Sequence, residues 1–129
     1  MKKDTLVMIK QISNIVKNIE EIEFAYLFGS YATNSYTKKS DIDIAIFVKD
    51  GVSLLDAHLN VHHQLEIKLQ KEIDIVTLNN AKNFSLVKDI LTQGVVIKDS
   101  NNDKREMYEI YKMHEILDYF ALKRSLDVA

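Results

Sequence analysis

The chain has 129 residues, 47% of them apolar, with 17 basic and 19 acidic side chains and a formal net charge of −2. That length predicts one domain spanning residues 1–129 with a modest core, and the near-neutral balance makes no general case for nucleic acid or an anionic membrane as partner. With no cysteine, disulfide frameworks, thiolate chemistry and Cys-type zinc sites are excluded.

The start, Met1-Lys2-Lys3-Asp4, is charged and runs into an amphipathic pattern rather than an apolar leader. No stretch approaches the ~18 consecutive apolar residues of a membrane span. A cytoplasmic protein is expected, in keeping with the cysteine-free composition.

Leu6, Ile9, Ile12, Val16 and Ile19 recur at three- and four-residue steps and predict an opening helix. Glu23–Phe28 is short, aromatic and apolar, and Gly29 ends it, which reads as a buried strand. After a polar stretch from Thr33 to Ser40, Ile42, Ile44, Ile46 and Val48 alternate with Asp43, Ala45 and Phe47 in a second strand. Asp50-Gly51 marks a turn. The next helix carries Leu54, His58, Val61, Leu65 and Leu69 as its stripe, with Ser53 as N-cap.

Ile73, Ile75 and Thr77 alternate with Asp74, Val76 and Leu78 in a third strand, broken by Asn79-Asn80. Phe84, Val87, Ile90 and Leu91 predict a short helix closed by Gly94 in the left-handed position that follows a helix end. Val95–Ile97 reads as a short edge strand, and the polar run Asp99–Asp103 as a turn. A last helix is expected from about Lys104 to Leu126. The sum is one α/β (α+β) domain, a small mixed sheet with helices packed on it and a long C-terminal helix.

The informative segment is Phe28-Gly29-Ser30, ten residues, then Asp41-Ile42-Asp43. Carboxylates at i and i+2 of a strand share a face, with Cα atoms roughly 6.7 Å apart. At that separation two unit negative charges repel by about 2.5 kcal/mol at an effective dielectric of ~20. A strand end has little reason to hold them together unless cations sit between them, and Mg²⁺ suits hard oxygen ligands. Asp74 offers a third carboxylate: it stands on the opposite face from Ile73 and Ile75, as Asp43 does from Ile42 and Ile44. Neighbouring strands would bring all three together, which suits a two-metal displacement. A strand ending in Gly29-Ser30 and turning into a helix offers backbone N–H groups and a hydroxyl to phosphate oxygens.

The string Gly29-Ser30-x₁₀-Asp41-x-Asp43, with Asp74 in a later strand, resembles the signature of the DNA polymerase β-type nucleotidyltransferase superfamily. The short length and element order are most similar to its minimal branch, the MNT proteins, many of which are antitoxins encoded beside a HEPN-domain toxin. The motif covers Phe28 to Asp43, and the compatible element order extends to about Ile97. The resemblance implies a nucleotidyltransferase fold. It also implies two Mg²⁺ ions on Asp41 and Asp43, with Asp74 holding one and assisting deprotonation of the acceptor hydroxyl. Gly29 and Ser30 would hold the β- and γ-phosphates. ATP is the implied donor and a tyrosine of a HEPN toxin the implied acceptor. One departure stands out: where family members often carry a small-Arg-Gly run, Tyr31-Ala32 here leads to Thr33-Asn34. The missing Arg removes a candidate phosphate contact, and the missing Gly predicts a stiffer or reshaped loop.

Two other readings stay open. One is a non-catalytic module of the same fold that neutralises a toxin by covering it. The other is a small-molecule, aminoglycoside-type transferase, for which the chain is short unless a dimer completes the cleft. Ser30 could serve as a helix N-cap, Ser40 as a turn residue, and Lys38-Lys39 as a solvated loop or a steering patch. His58, His62 and His63 lack a zinc spacing and read as packing or partner surface. Met107, Tyr108, Tyr111, Leu117, Phe120 and Leu126 give the last helix either a sheet-packing face or a dimer or toxin-docking surface.

Overall fold

The structure is a computed structural model that describes residues 3–128. The charged start at Met1 and Lys2, read from the sequence above, lies outside the described residues. In chain order the elements are α1 (Lys3–Lys17), β1 (Ile22–Phe28), β2 (Ile42–Val48), α2 (Leu54–Leu69), β3 (Ile73–Thr77), α3 (Phe84–Gln93), β4 (Val95–Asp99) and α4 (Asn102–Val128). The four strands form one mixed sheet in the order β3-β2-β1-β4. β1 runs antiparallel to β2 and to β4, while β2 and β3 run parallel.

Period-two alternation sorts the strands onto two cores. Ile42, Ile44, Ile46 and Val48 of β2, with Ala25 and Leu27 of β1, face α1 and α2. Phe24 and Tyr26 of β1 and Ala45 of β2 face α3 and α4. β1 is central and buried on both sides, which explains its unbroken apolar run. β4 is an edge strand, as the short Val95–Ile97 run suggested.

Local chemistry sets the element ends. The Ser53 hydroxyl accepts the Asp56 N–H at 3.2 Å and caps α2. Asn83 caps α3 in the same way through Leu86. Asn79 breaks the chain after β3 by a pairing of its own: its amide group accepts the Val48 N–H and donates to the Val48 carbonyl, at 2.8 and 2.9 Å.

Two expectations need correction. Gly94 follows α3, but in extended rather than left-handed backbone. It is glycine because a Cβ there would strike the Ile90 carbonyl oxygen and approach that of Leu27 at 3.3 Å. In α1, Leu6 is 55% exposed while Thr5 is fully buried. The buried positions of this helix are therefore Thr5, Ile12 and Val16, with Ile9 half-buried between them, and a hydroxyl occupies a position that hydropathy assigned to its neighbour.

α4 is held lightly. Among its described residues only Ile116 is fully buried, and Ile110, Tyr111, Leu117, Leu122 and Leu126 are each more than half exposed. Its first turns are anchored by Arg105, which binds Asp99 and Glu109 at 2.8 Å each. Tyr26 donates to the same Glu109. Among the described residues no helix is long and apolar enough to cross a membrane.

Candidate active site

The carboxylates meet at one end of the sheet. In the parallel β2–β3 pair, Asp43 stands in register with Asp74, as Ile42 does with Ile73 and Ile44 with Ile75. Residues in register share a face, so both acids point to the side opposite the isoleucines. Asp41 lies two residues before Asp43, just outside β2. Asp41 and Asp43 are half-buried and Asp74 is exposed.

Gly29 and Ser30 close the site from β1. Phe28 pairs with Asp43, so the chain leaving β1 passes directly over that carboxylate. Gly29 has φ of +74°, and a Cβ built on it would land on Oδ2 of Asp43 and 3.1 Å from Cγ. The glycine is thus required twice, by its backbone conformation and by the acid beside it. The expected helix after Gly-Ser is a single 3-10 turn, Gly29–Tyr31. That turn has no side-chain cap, so the N-cap reading of Ser30 fails. Among the described residues the Ser30 hydroxyl makes no hydrogen bond, while its carbonyl accepts the Ser35 N–H at 2.9 Å.

The electrostatics follow from this crowding. Burial, then the charges of Asp74 and Asp41 and a hydrogen bond with Asp74, push the Asp43 carboxyl up to about 6. Three carboxylates are close enough to repel, and a cation among them would relieve the repulsion. The donor set is oxygen only and partly open to solvent, which fits Mg²⁺, an ion that takes one or two carboxylates and completes its shell with waters and phosphates. Among the described residues no three acidic, imidazole or thiol side chains enclose a metal site by themselves.

The loop from Ser30 to Asp41 is shaped by Asn34, Tyr36 and Ser40, of which sequence patterning passed over Tyr36. Asn34 has φ of +61°. Asparagine is among the side chains that best tolerate left-handed backbone, so the loop keeps a left-handed residue without the expected glycine. Tyr36 stacks on the buried Tyr31 at 4.4 Å between ring centroids. Ser40 is a turn residue, accepting the Thr37 N–H at 2.8 Å. A cavity of about 390 Å³ opens beside this loop, with Tyr31, Tyr36, Lys38 and Lys71 among its walls. The Lys71 ammonium lies 5.9 Å from the Tyr31 ring centre.

The histidines do not join the site. His58 packs against Thr77 at 3.4 Å, and His62 pairs with Glu66 on the same helix at 3.6 Å.

The model of the family described as "Polymerase beta, Nucleotidyltransferase" matches residues 10–104, a span that contains the Gly-Ser turn and all three acids. The chain belongs to this nucleotidyltransferase family. Among its relatives, the protein adenylyltransferase MntA of Shewanella oneidensis is 31% identical over 94 residues, covering 73% of this chain and 66% of that protein. The Methanocaldococcus jannaschii protein MJ0435 is 41% identical over 75 residues, covering 57% of this chain and 77% of that one. The nucleotidyltransferase fold also recurs in a solved toxin–antitoxin complex with AMP-PNP, at a TM-score of 0.71 and 23% identity over 98% of this chain and 95% of that chain. Family membership makes the chain a nucleotidyltransferase, and the fold expectation holds: a small mixed sheet, flanking helices and a long C-terminal helix.

Proposed function

We propose that this chain is a Mg²⁺-dependent protein adenylyltransferase, a single domain that acts in the cytoplasm as an antitoxin by moving AMP from ATP onto a tyrosine of a HEPN-domain toxin. The observation that carries the reading is the in-register pair Asp43 and Asp74, with Asp41 two residues away and Gly29 against Asp43. The relative MntA is named a protein adenylyltransferase. A fold neighbour is an MNT antitoxin in complex with a tri-AMPylated HEPN toxin of Shewanella oneidensis.

In this reading Asp41 and Asp43 hold both metal ions, and Asp74 holds one of them. Bound there, Mg²⁺ would neutralise charge on the phosphates and make the acceptor hydroxyl more acidic. Asp74, the most open of the three acids, accepts the proton of the acceptor hydroxyl. The Ser30 hydroxyl and the Gly29 backbone bind the β- and γ-phosphates, from a turn that lies against Asp43. The acceptor oxygen attacks the α-phosphorus in line. One P–O bond forms, the bond to the β-phosphate bridging oxygen breaks, and pyrophosphate leaves.

The alternative is a module that only covers the toxin, and Thr33 in place of a cationic side chain favours it. Intact-mass spectrometry of a co-expressed HEPN partner with ATP and Mg²⁺ separates the two. A gain of one or more AMP groups, lost in Asp41→Asn, supports transfer. A bound but unmodified partner leaves only the module.

A further inference from the structure

Thr5 is a polar side chain sealed in the first turns of α1. It is fully buried, and its hydroxyl oxygen lies 2.9 Å from Asn34 Oδ1 and 3.0 Å from the Tyr36 phenol oxygen. A hydroxyl has one proton to give. Both neighbours are oxygens placed to accept it, so the Thr5 proton is shared between the Asn34 amide oxygen and the Tyr36 phenol oxygen. The buried hydroxyl is thereby paired, the condition under which burying it is tolerable.

Both partners sit on the loop that joins Ser30 to Asp41. Asn34 is its left-handed residue. Tyr36 stacks face to face on Tyr31 at an interplanar angle of 7°, and Tyr31 directly follows Gly29-Ser30. The Ser35 N–H, between the two partners, binds the Ser30 carbonyl at 2.9 Å. Thr5 thus reaches the Gly-Ser turn through two routes, one by stacking and one by backbone hydrogen bonding. The nearby Thr33–Ser40 stretch is otherwise exposed or half-buried, with Tyr36 also packed against the main core.

We infer that Thr5 is a positioning residue for the nucleotide site: its hydroxyl, through Asn34 and Tyr36, fixes the loop that presents Gly29-Ser30 to the phosphates. The inference rests on the nucleotide-binding reading of that turn given above. Thr5 touches no reacting atom. Its effect falls mainly on nucleotide affinity, because the restrained segment adjoins the Gly29-Ser30 phosphate contacts while β2 and β3 themselves hold Asp43 and Asp74 in register.

The test is titration calorimetry of the full chain with MgATP, beside thermal melting of each variant. Thr5→Val, which keeps shape and removes the hydroxyl, is expected to weaken MgATP binding about tenfold, within the range a lost buried hydrogen bond gives. Thr5→Ser restores the hydroxyl and should bind within about twofold of wild type. Tyr36→Phe removes the same bond from its other end, leaves the ring stack intact, and should weaken binding about threefold or more. If Thr5→Val fails to fold, Tyr36→Phe decides. Binding within twofold of wild type by both Thr5→Val and Tyr36→Phe overturns the inference, and so does a Thr5→Ser as weak as Thr5→Val. A wild-type chain that does not bind MgATP overturns the nucleotide-site reading itself.

Discussion

Asp43 and Asp74 are register partners on adjacent parallel strands, so their carboxylates leave the sheet side by side on one face. Apolar neighbours on the other face keep them there: Ile42, Ile44 and Ile73 are buried against α1 and α2. A one-residue slip of either strand would exchange acid for isoleucine and expose the core. The spacing of the acids is therefore held by burial of hydrophobic side chains, and charge repulsion within the site is tolerated at the expense of that packing.

The first prediction concerns transfer. Asp41→Asn and Asp43→Asn keep the shape of each side chain and remove a hard anionic ligand. Each should lower MgATP-dependent labelling of a protein acceptor by about a hundredfold or more. Radiolabel or mass transfer under saturating ATP measures it, and a variant retaining full labelling would sink the role given to that acid.

The second follows from the raised Asp43 carboxyl. Its folded value of about 6 lies above the ordinary ~3.9 of an unfolded chain. The folded state thus holds the proton more tightly. The associated stability is complete below about pH 4 and is lost as pH rises through about 6. Because the group is partly open to solvent, the full linkage is discounted to on the order of 1 kcal/mol. In metal-free protein Asp43→Asn should equal wild type near pH 4 and exceed it by about that amount at pH 7. Parallel denaturation curves for the two proteins across this window would contradict it. Added Mg²⁺ should raise the stability of wild type at pH 7 and leave Asp43→Asn nearly unchanged.

Gly29→Ala tests the close approach at the Gly-Ser turn. The new methyl meets Asp43 Oδ2 while the backbone is held at positive φ. A cost of roughly 2 kcal/mol or more is expected, with loss of MgATP binding, read by chemical denaturation and titration. Ala32→Gly, one residue past the same turn and free of that contact, serves as the control and should stay within about 1 kcal/mol of wild type.

The last prediction separates the two halves of α4. Ile116→Ala should cost about 2–4 kcal/mol, since this side chain is fully buried in the core shared with Phe24 and Tyr26. Leu122→Ala and Leu126→Ala, at 61% and 67% exposed, should each stay within about 0.5 kcal/mol of wild type in the isolated chain. Equal losses at all three positions would show the distal turns to be packed as tightly as the proximal ones.

What could be read from the chain directly was local and periodic. Strands with alternating isoleucines, the Ser53 cap of α2 and the Gly29-Ser30…Asp41-x-Asp43 string each depend on residues a few positions apart, and so each was visible. The side of β2 and β3 on which Asp43 and Asp74 lie follows from the period of two alone. Whether those strands are neighbours does not, because strand adjacency and register are set by packing between segments some thirty residues apart. The same holds for Thr5: hydropathy chose Leu6 for the buried line of α1, while the actual choice depended on polar partners at Asn34 and Tyr36, invisible until the loop folds over the helix. Gly94 carries the same lesson, its requirement coming from the Ile90 and Leu27 carbonyls crowding it rather than from a left-handed turn. Sequence determined which side chains were available for chemistry; the tertiary fold decided which of them face one another, since only burial across the sheet fixes a distance between residues far apart in the chain.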